Sequence, residues 1–337
     1  MRAEFITPGH AEWTDFLKET PHDFYHLPGY VELCARRDGG VAGAFLAEDG
    51  GRAMLAPLVL RPVPGADCMD ASAPYGYPAP LLRGDPTGAQ VEGFLDAFRE
   101  TGAERGLVSA FFRFHPLLPL PPDPFARSGT LVEHGETVFL DLDLPVEELE
   151  RQTRTNHRAD ARKLLTGGFR VVVDDWSRLG DFVAIYAETM RLREAADTYL
   201  FDEAYFSELR QCLGERLHLC MVLGPEGEPA AGGLFTHVGD LMQFHLAGTA
   251  ADFRRAGPAK LMLLHMRDQA RAWGVRRLHL GGGVGCAQDS LAFFKQGFSR
   301  LRGRFSTFRM ILQPRVYHDL AGGPSSPGDF FPAYRRP

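Results

Sequence analysis

The chain has 337 residues, of which 45% are hydrophobic and 24% charged, and its formal net charge is −6. That length and apolar content suffice for two domains with separate cores. The acidic balance excludes a broad, sequence-independent nucleic-acid surface but leaves room for a local basic patch. The N-terminal MRAEFITPGHAEW has no basic region followed by an apolar core, so no signal peptide is expected. No run approaches about 18 apolar residues, so no membrane span is expected. The five cysteines (Cys34, Cys68, Cys212, Cys220 and Cys286) form no C-x-x-C pair. Reduced thiols in a cytoplasmic protein fit this better than a disulfide frame or a zinc site, and no metal cluster is visible.

In chain order, Ala11–Glu19 and Tyr30–Arg37 read as short helices, with an aromatic loop from Pro21 to Pro28 between them. Val41–Ala47 and Ala53–Leu60 form a strand pair across the turn Glu48-Asp-Gly-Gly51. Ala73–Pro80 is irregular and dense in proline and tyrosine. Gly88–Thr101 reads as a helix, Leu107–Phe114 as a strand, and the proline-rich His115–Gly129 as a surface loop. Glu147–Gly168 joins two halves. Its Arg151, Arg154, Arg158 and Arg162 are spaced 3, 4 and 4, which predicts one basic helix face. Such a face is either simply solvated or a phosphate contact for a nucleotide, a sugar nucleotide or tRNA.

The second half repeats the order of the first. Asp181–Arg193 and Asp202–Cys212 read as helices, and Leu217–Leu223 and Ala230–Val238 as a strand pair across Gly224-Pro-Glu-Gly227. Leu241–Ala247 is a strand. Arg254-Arg-Ala-Gly-Pro-Ala259 opens a helix with Met262, Met266, Ala270 and Trp273 on its apolar face, and Gly274 ends it. Arg277–Gly281 is the next strand, and Asp289 caps a final helix that ends near Gly297. A helix N-terminus beside two arginines is a natural anion site. The segments Gly88–Phe112 and Gly257–Gly281 both run helix, glycine, strand, about 168 residues apart, which points to a duplicated α/β domain. The expected division is 1–145, 146–313 and a tail, 314–337, that packs back on the first domain. Gly322–Gly328 in that tail reads as a flexible Gly/Pro/Ser stretch.

Arg254-x-x-Gly257-x-Ala259 resembles the R/Q-x-x-G-x-G/A loop of the GNAT (Gcn5-related N-acetyltransferase) fold, and lies where that fold has it. The wider pattern resembles the FemABX-like branch of tandem-GNAT aminoacyltransferases, which build peptidoglycan cross-bridges. The matching stretches are Tyr25–Tyr30, Ala73–Tyr77, Arg113–Pro116, Asn156–Gly168, Phe244–Gly248, His279–Gly283 and Asp289–Phe298. Glu147–Gly168 is too short for the coiled helical arm of some members, so the arm-less FemX type is the nearer likeness. The resemblance implies an α/β fold of two GNAT-like domains, each a mixed, mostly antiparallel sheet flanked by helices.

N-acyl transfer needs a neutral amine, stabilisation of a tetrahedral oxyanion and a proton for the leaving group. The resemblance implies a backbone N–H at a bulged strand near Leu246–Thr249 for the acyl oxygen. It implies donor contacts at Leu246, Gly248, Arg254, Gly257, Ala259 and Lys260, and a catalytic Lys295 whose charge stabilises the intermediate. A lysine among Phe293, Phe294 and Phe298 otherwise needs an exit to water. Asp289 is a helix cap that could also contact the amine. His245 and His279 are either bases or core histidines, and Cys286 is a weak nucleophile candidate. Arg36, Arg37, Tyr75, Tyr77, Arg191, Arg193 and Tyr199 occupy segments that face the acceptor's sugar and diphosphate in FemX-like enzymes. Arginine suits a diphosphate through its planar fork, and tyrosine suits a sugar by stacking.

Three functions follow. The first moves an amino acid from aminoacyl-tRNA to the amine of a peptidoglycan precursor. The second is acyl-CoA-dependent transfer to an amino sugar or amino-acid-like acceptor. The third is a non-catalytic binding module. The co-substrate is aminoacyl-tRNA or acyl-CoA, with no tightly bound cofactor and no metal. The partners are a small-molecule or peptidoglycan-precursor acceptor and, in the first reading, tRNA.

Overall fold

A computed structural model describes residues 1–196, 199–323 and 330–336. The chain divides into two compact units, Met1–Gly135 with Arg304–Pro337 and Glu136–Gly303.

The first unit runs β1 (Arg2–Ile6), α1 (Ala11–Lys18), α2 (Pro28–Arg37), β2 (Val41–Asp49), β3 (Arg52–Pro62), β4 (Met69–Ser72), β5 (Leu81–Arg83), α3 (Gly88–Glu104), β6 (Leu107–Arg113) and α4 (Pro122–Ser128). Its strands are ordered β1-β2-β3-β4-β6, with β5 beside β3. All neighbours are antiparallel except β4 and β6, which the crossover helix α3 makes parallel. Thr87 and Gln90 form a reciprocal cap at the start of α3. The core packs Phe45, Phe94, Phe98, Phe112 and Phe125. His115–Gly129 is not simply a surface loop. Pro122 sits in the first turn of α4, where proline costs no hydrogen bond, and α4 buries Phe125 completely.

The strand β7 (Thr130–Asp141) is followed by α5 (Val146–Gln152), α6 (Thr155–Thr166), β8 (Arg170–Val173), α7 (Leu179–Leu192), α8 (Glu203–Leu213), β9 (Leu217–Leu223), β10 (Pro229–Val238), β11 (Leu241–Thr249), α9 (Pro258–Ala272), β12 (Arg277–Gly281), α10 (Ser290–Lys295), β13 (Arg302–Ile311) and α11 (Pro314–Ala321). In the second unit the sheet order is β7-β12-β11-β10-β9-β8. Here β11 and β12 are the parallel pair, joined by α9. Each unit thus repeats one plan, a parallel pair within an otherwise antiparallel sheet.

The last strand of each half belongs to the other unit. Val138–Asp141 of β7 pairs with β12 in the second, and Thr307–Ile311 of β13 pairs with β6 in the first. Cuts at 145 and 313, read from element order, therefore differ from the division by compactness. In the tail, the described part of the Gly/Pro/Ser stretch is Gly322 and Gly323, and the rest lies outside the described residues.

Met262, Met266 and Ala270 of α9 are fully buried in the second core. Full burial of a methionine stabilises by about 1.5–3 kcal/mol. Trp273 departs from this face; it ends the helix exposed and lies against His218 with ring centroids 4.3 Å apart.

The basic stripe also departs from expectation. Thr153 is extended (φ −76°, ψ 127°) and breaks the segment into α5 and α6, with its hydroxyl bonded to the Leu149 carbonyl. Arg151 therefore belongs to α5, Arg154 is the N-cap of α6, and only Arg158 and Arg162 share a helix.

Candidate active site

The parallel pairing of β11 and β12 runs from Leu241–Arg277 to Gln243–His279 and stops. At that last rung His279 Nδ1 lies 2.6 Å from Gln243 Oε1. Immediately beyond it β11 bulges: Leu234 of β10 faces Leu246 and Phe235 faces Phe244, so His245 is the extra residue. The expected irregularity near Leu246–Thr249 is thus centred at His245. Leu246 and Gly248 follow on the strand, where Gly248 lies tight against Ile185 and Thr189 of α7.

One residue past β12, the Gly282 carbonyl accepts a 2.8 Å hydrogen bond from Lys295 Nζ. Lys295 does not snorkel. It is 9% exposed, and burial lowers its pKa to about 8; Asp289 opposes this shift and Arg193 adds to it. Asp289 accepts from the amides of Ala292 (2.8 Å) and Val284 (2.9 Å), so it caps α10 and clasps the preceding loop. Burial raises its pKa, but these backbone bonds outweigh that effect and hold it below the usual carboxylate range. Cys286 is buried in the same loop with φ +63°. Burial raises its thiol pKa, which keeps it unreactive near neutral pH.

At the start of α9, Gly257 takes φ +68°, a left-handed conformation that suits glycine. Few of this loop's donors are left for an anion. The amides of Arg254, Ala256, Gly257 and Lys260 are bonded within it, and Pro258 has none. Lys260 is ion-paired with Asp160 of α6, while Arg254 is exposed and Ala259 half-buried. His157 of α6 packs between Phe294 and Phe298, at centroid distances of 5.6 and 4.7 Å. Burial, with Lys260 and Arg154 adding to it, lowers its pKa to about 4. His157 thus links the α9 loop to the helix that carries Lys295, a connection between residues distant in sequence.

Of the acceptor candidates, Arg193 stands within electrostatic reach of Lys295. Arg191 and Tyr199 are exposed on the same unit, and the Tyr199 carbonyl accepts from Tyr186. Arg36 and Arg37 are exposed at the end of α2 in the first unit. There the Tyr75 carbonyl accepts from Tyr30, and Tyr77 stands edge-on to Phe305 at 5.2 Å. Sequence reading missed a cationic face beside Tyr77. Arg113 of β6 is opposite Thr307 of β13, His134 bonds that Thr307 at 2.7 Å, and Arg309 lies on the same face. Burial, then Arg309 and Arg113, lower the pKa of His134. Only the motif around Arg113 marked this place in the sequence.

Among the described residues no group of three His, Cys, Asp or Glu side chains could hold a metal ion, and no helix is long and apolar enough to cross a membrane.

Residues 151–296 match a family model described as an acetyltransferase (GNAT) domain. That segment of the chain carries a GNAT-type domain. No curated protein matches the chain in sequence. The chain is similar in structure to FemX, with a TM-score of 0.72 and 17% identity over 94% of this chain and 99% of that one. A conserved protein of unknown function from Bacteroides thetaiotaomicron gives 0.61 and 10%, over 92% and 99% of the two chains. L-PGS from Bacillus licheniformis gives 0.57 and 15%, over 90% and 92%. The chain has the tandem GNAT-type fold of FemX, the fold that its motifs imply.

Proposed function

We propose that this acyltransferase moves an amino acid from aminoacyl-tRNA to the amine of a peptidoglycan precursor, in the cytoplasm. The observation that carries the reading is Lys295 of α10, a buried ammonium that donates to the Gly282 carbonyl just past β12, the strand that parts from the bulged β11. The precursor's neutral amine attacks the ester carbonyl, and the new C–N bond forms as the carbonyl π electrons move to oxygen. Lys295 and an N–H of β11 near Leu246 and Gly248 stabilise that oxyanion. On collapse the ester C–O bond breaks. The tRNA ribose oxygen takes a proton, and the ammonium formed by attack loses one. Arg193, Arg191 and Tyr199, and in the first unit Arg36, Arg37, Tyr75 and Tyr77, are the proposed acceptor contacts. Asp289 holds the loop and helix that position Lys295.

The α9 loop favours tRNA over CoA as the donor carrier, because its amides and Lys260 are largely engaged within the protein. The second reading, acyl-CoA-dependent transfer, draws on that loop's Arg254-x-x-Gly257-x-Ala259 pattern and on the acetyltransferase description of the matched domain. In that reading Arg254, Gly257, Ala259 and Lys260 hold the pyrophosphate. The test is to incubate the protein and a nucleotide-linked peptidoglycan precursor with charged tRNA or with acetyl-CoA, and to weigh the product. An added aminoacyl residue only with tRNA supports the first reading, an acetyl group only with acetyl-CoA the second.

A further inference from the structure

The edge strands of the two units differ in chemistry. In the first unit β1 is charged: Arg2 pairs with Glu4 and Glu12 and lies 3.7 Å from Glu48. In the second, β8 pairs with β9 alone among the described residues. Its sequence is Arg-Val-Val-Val, without proline, and no bulge interrupts its register. Proline, bulges and inward charges are the usual means of blocking a sheet edge. Val171 and Val173 pack on the second core, and Val172, on the opposite face, is half-buried.

The phase of the ladder fixes which backbone groups face outward. The Asp174 amide donates to the Leu219 carbonyl at 2.8 Å. Bonded and non-bonded pairs alternate along an antiparallel ladder. Val172, opposite Met221, and Arg170, opposite Leu223, therefore bond inward to β9. Val171 and Val173 turn their N–H and C=O groups outward, where no described residue meets them. A second β8, antiparallel about a two-fold axis at Val172, matches this phase. Val171 of each copy then exchanges N–H···O bonds with Val173 of the other. Val172 meets its own copy at a non-bonded position, where side chains approach most closely. The same axis sets Arg170 of one copy opposite Asp174 of the other. Arg170 is exposed and has no ion pair among the described residues. Asp174 also accepts from His218 and the Leu219 amide, but its side chain is 39% exposed. Opposite charges across a strand pair stabilise it. The equivalent axis in β1, at Glu4, would set glutamate against glutamate.

We infer that β8 is a self-association edge, at which two copies of this chain join β8 to β8, antiparallel about Val172. Pairing at this edge holds with either acyl donor.

A strand of four residues offers little area, so the dimer is expected to be weak, with Kd of about 10–100 µM. The test is sedimentation equilibrium of the full chain from about 1 to about 500 µM, a range that brackets this Kd. The mass is expected to rise toward that of a dimer, and deuterium exchange across 169–175 to slow as protein concentration rises. Val172→Lys sets like charges at the axis and is expected to weaken association about tenfold or more. Arg170→Asp and Asp174→Arg are each expected to stay monomeric alone and to pair when mixed, since opposite charges then face each other at both positions. Circular dichroism confirms folding. Asp174→Arg removes the acceptor of the Leu219 amide; if it does not fold, Val172→Lys and Arg170→Asp decide the matter. A wild type that is monomeric throughout would overturn the inference. So would a dimer that Val172→Lys leaves intact, or one that leaves exchange in β8 unchanged. Exchange already slow at the lowest concentration would mean that another segment or a bound peptide covers the edge, and would overturn it too.

Discussion

Lys295 Nζ donates to the Gly282 carbonyl at 2.8 Å, which ties the end of α10 to the end of β12. A carbonyl neutralises no charge, so the ammonium stays poorly solvated and available to an incoming anion. Lys295→Met keeps the aliphatic bulk and removes the charge. It is expected to lower single-turnover acyl transfer by about 10²–10³, the range for losing one oxyanion donor, with an unchanged circular dichroism spectrum. Turnover near wild-type level would show that the charge has no part in the chemistry.

The pH dependence follows from the same group. With its pKa lowered to about 8, Lys295 is charged below that value and neutral above it. Acyl transfer is therefore expected to fall as pH rises through about 8, once titration of the acceptor amine is subtracted. Stability moves the other way. Between about 8 and the ordinary lysine value of 10.5 the unfolded chain binds the extra proton, so stability rises with pH across this window. Below about 8 the buried charge carries its full cost. Urea midpoints measured from pH 7 to pH 10 should show this rise in wild type, and Lys295→Met should flatten it.

Gly297 is fixed by contact. A Cβ there would stand 2.0 Å from His157 Cε1, and His157 is already held by Phe294 and Phe298. Gly297→Ala is expected to destabilise by about 1–3 kcal/mol through overpacking and to weaken turnover by shifting α10. The Gly297→Ala/His157→Ala double variant should recover part of the alanine penalty in a double-mutant cycle. Additive losses would mean that the two positions do not meet.

Local rules reached much of this architecture. Asp289 as a cap, Gly274 as a stop and Arg277–Gly281 as a strand all depend on neighbours within a few residues, and the structure has each of them. The exceptions have physical causes. Thr153 is neither glycine nor proline, and its break is held by carbonyls of Leu149 and Phe298, the latter 145 residues away. Pro122 and Pro124 read as loop, yet a short helix tolerates proline in its first turn. The pairings of β7 with β12 and β13 with β6 are wholly non-local, so no periodicity reports them. At the site, Lys295 stood out as a lysine among phenylalanines. His157 did not, because its partners come from another helix.

Asp160 engages the lysine of the α9 loop. Its carboxylate holds Lys260, which otherwise stands at the helix N-terminus, where its charge would serve an anion. Pro258 removes one amide from the same place, and internal turns use four more. On the proposed tRNA-donor reading, wild type is therefore expected to give no calorimetric signal with CoA. Asp160→Ala leaves the lysine unpaired and should raise affinity for inorganic pyrophosphate about two- to fivefold, the yield of one partly exposed charge. Saturable CoA binding by wild type, unchanged in Asp160→Ala, would mean that the loop holds its anion with Lys260 still paired, and the donor assignment would pass to CoA.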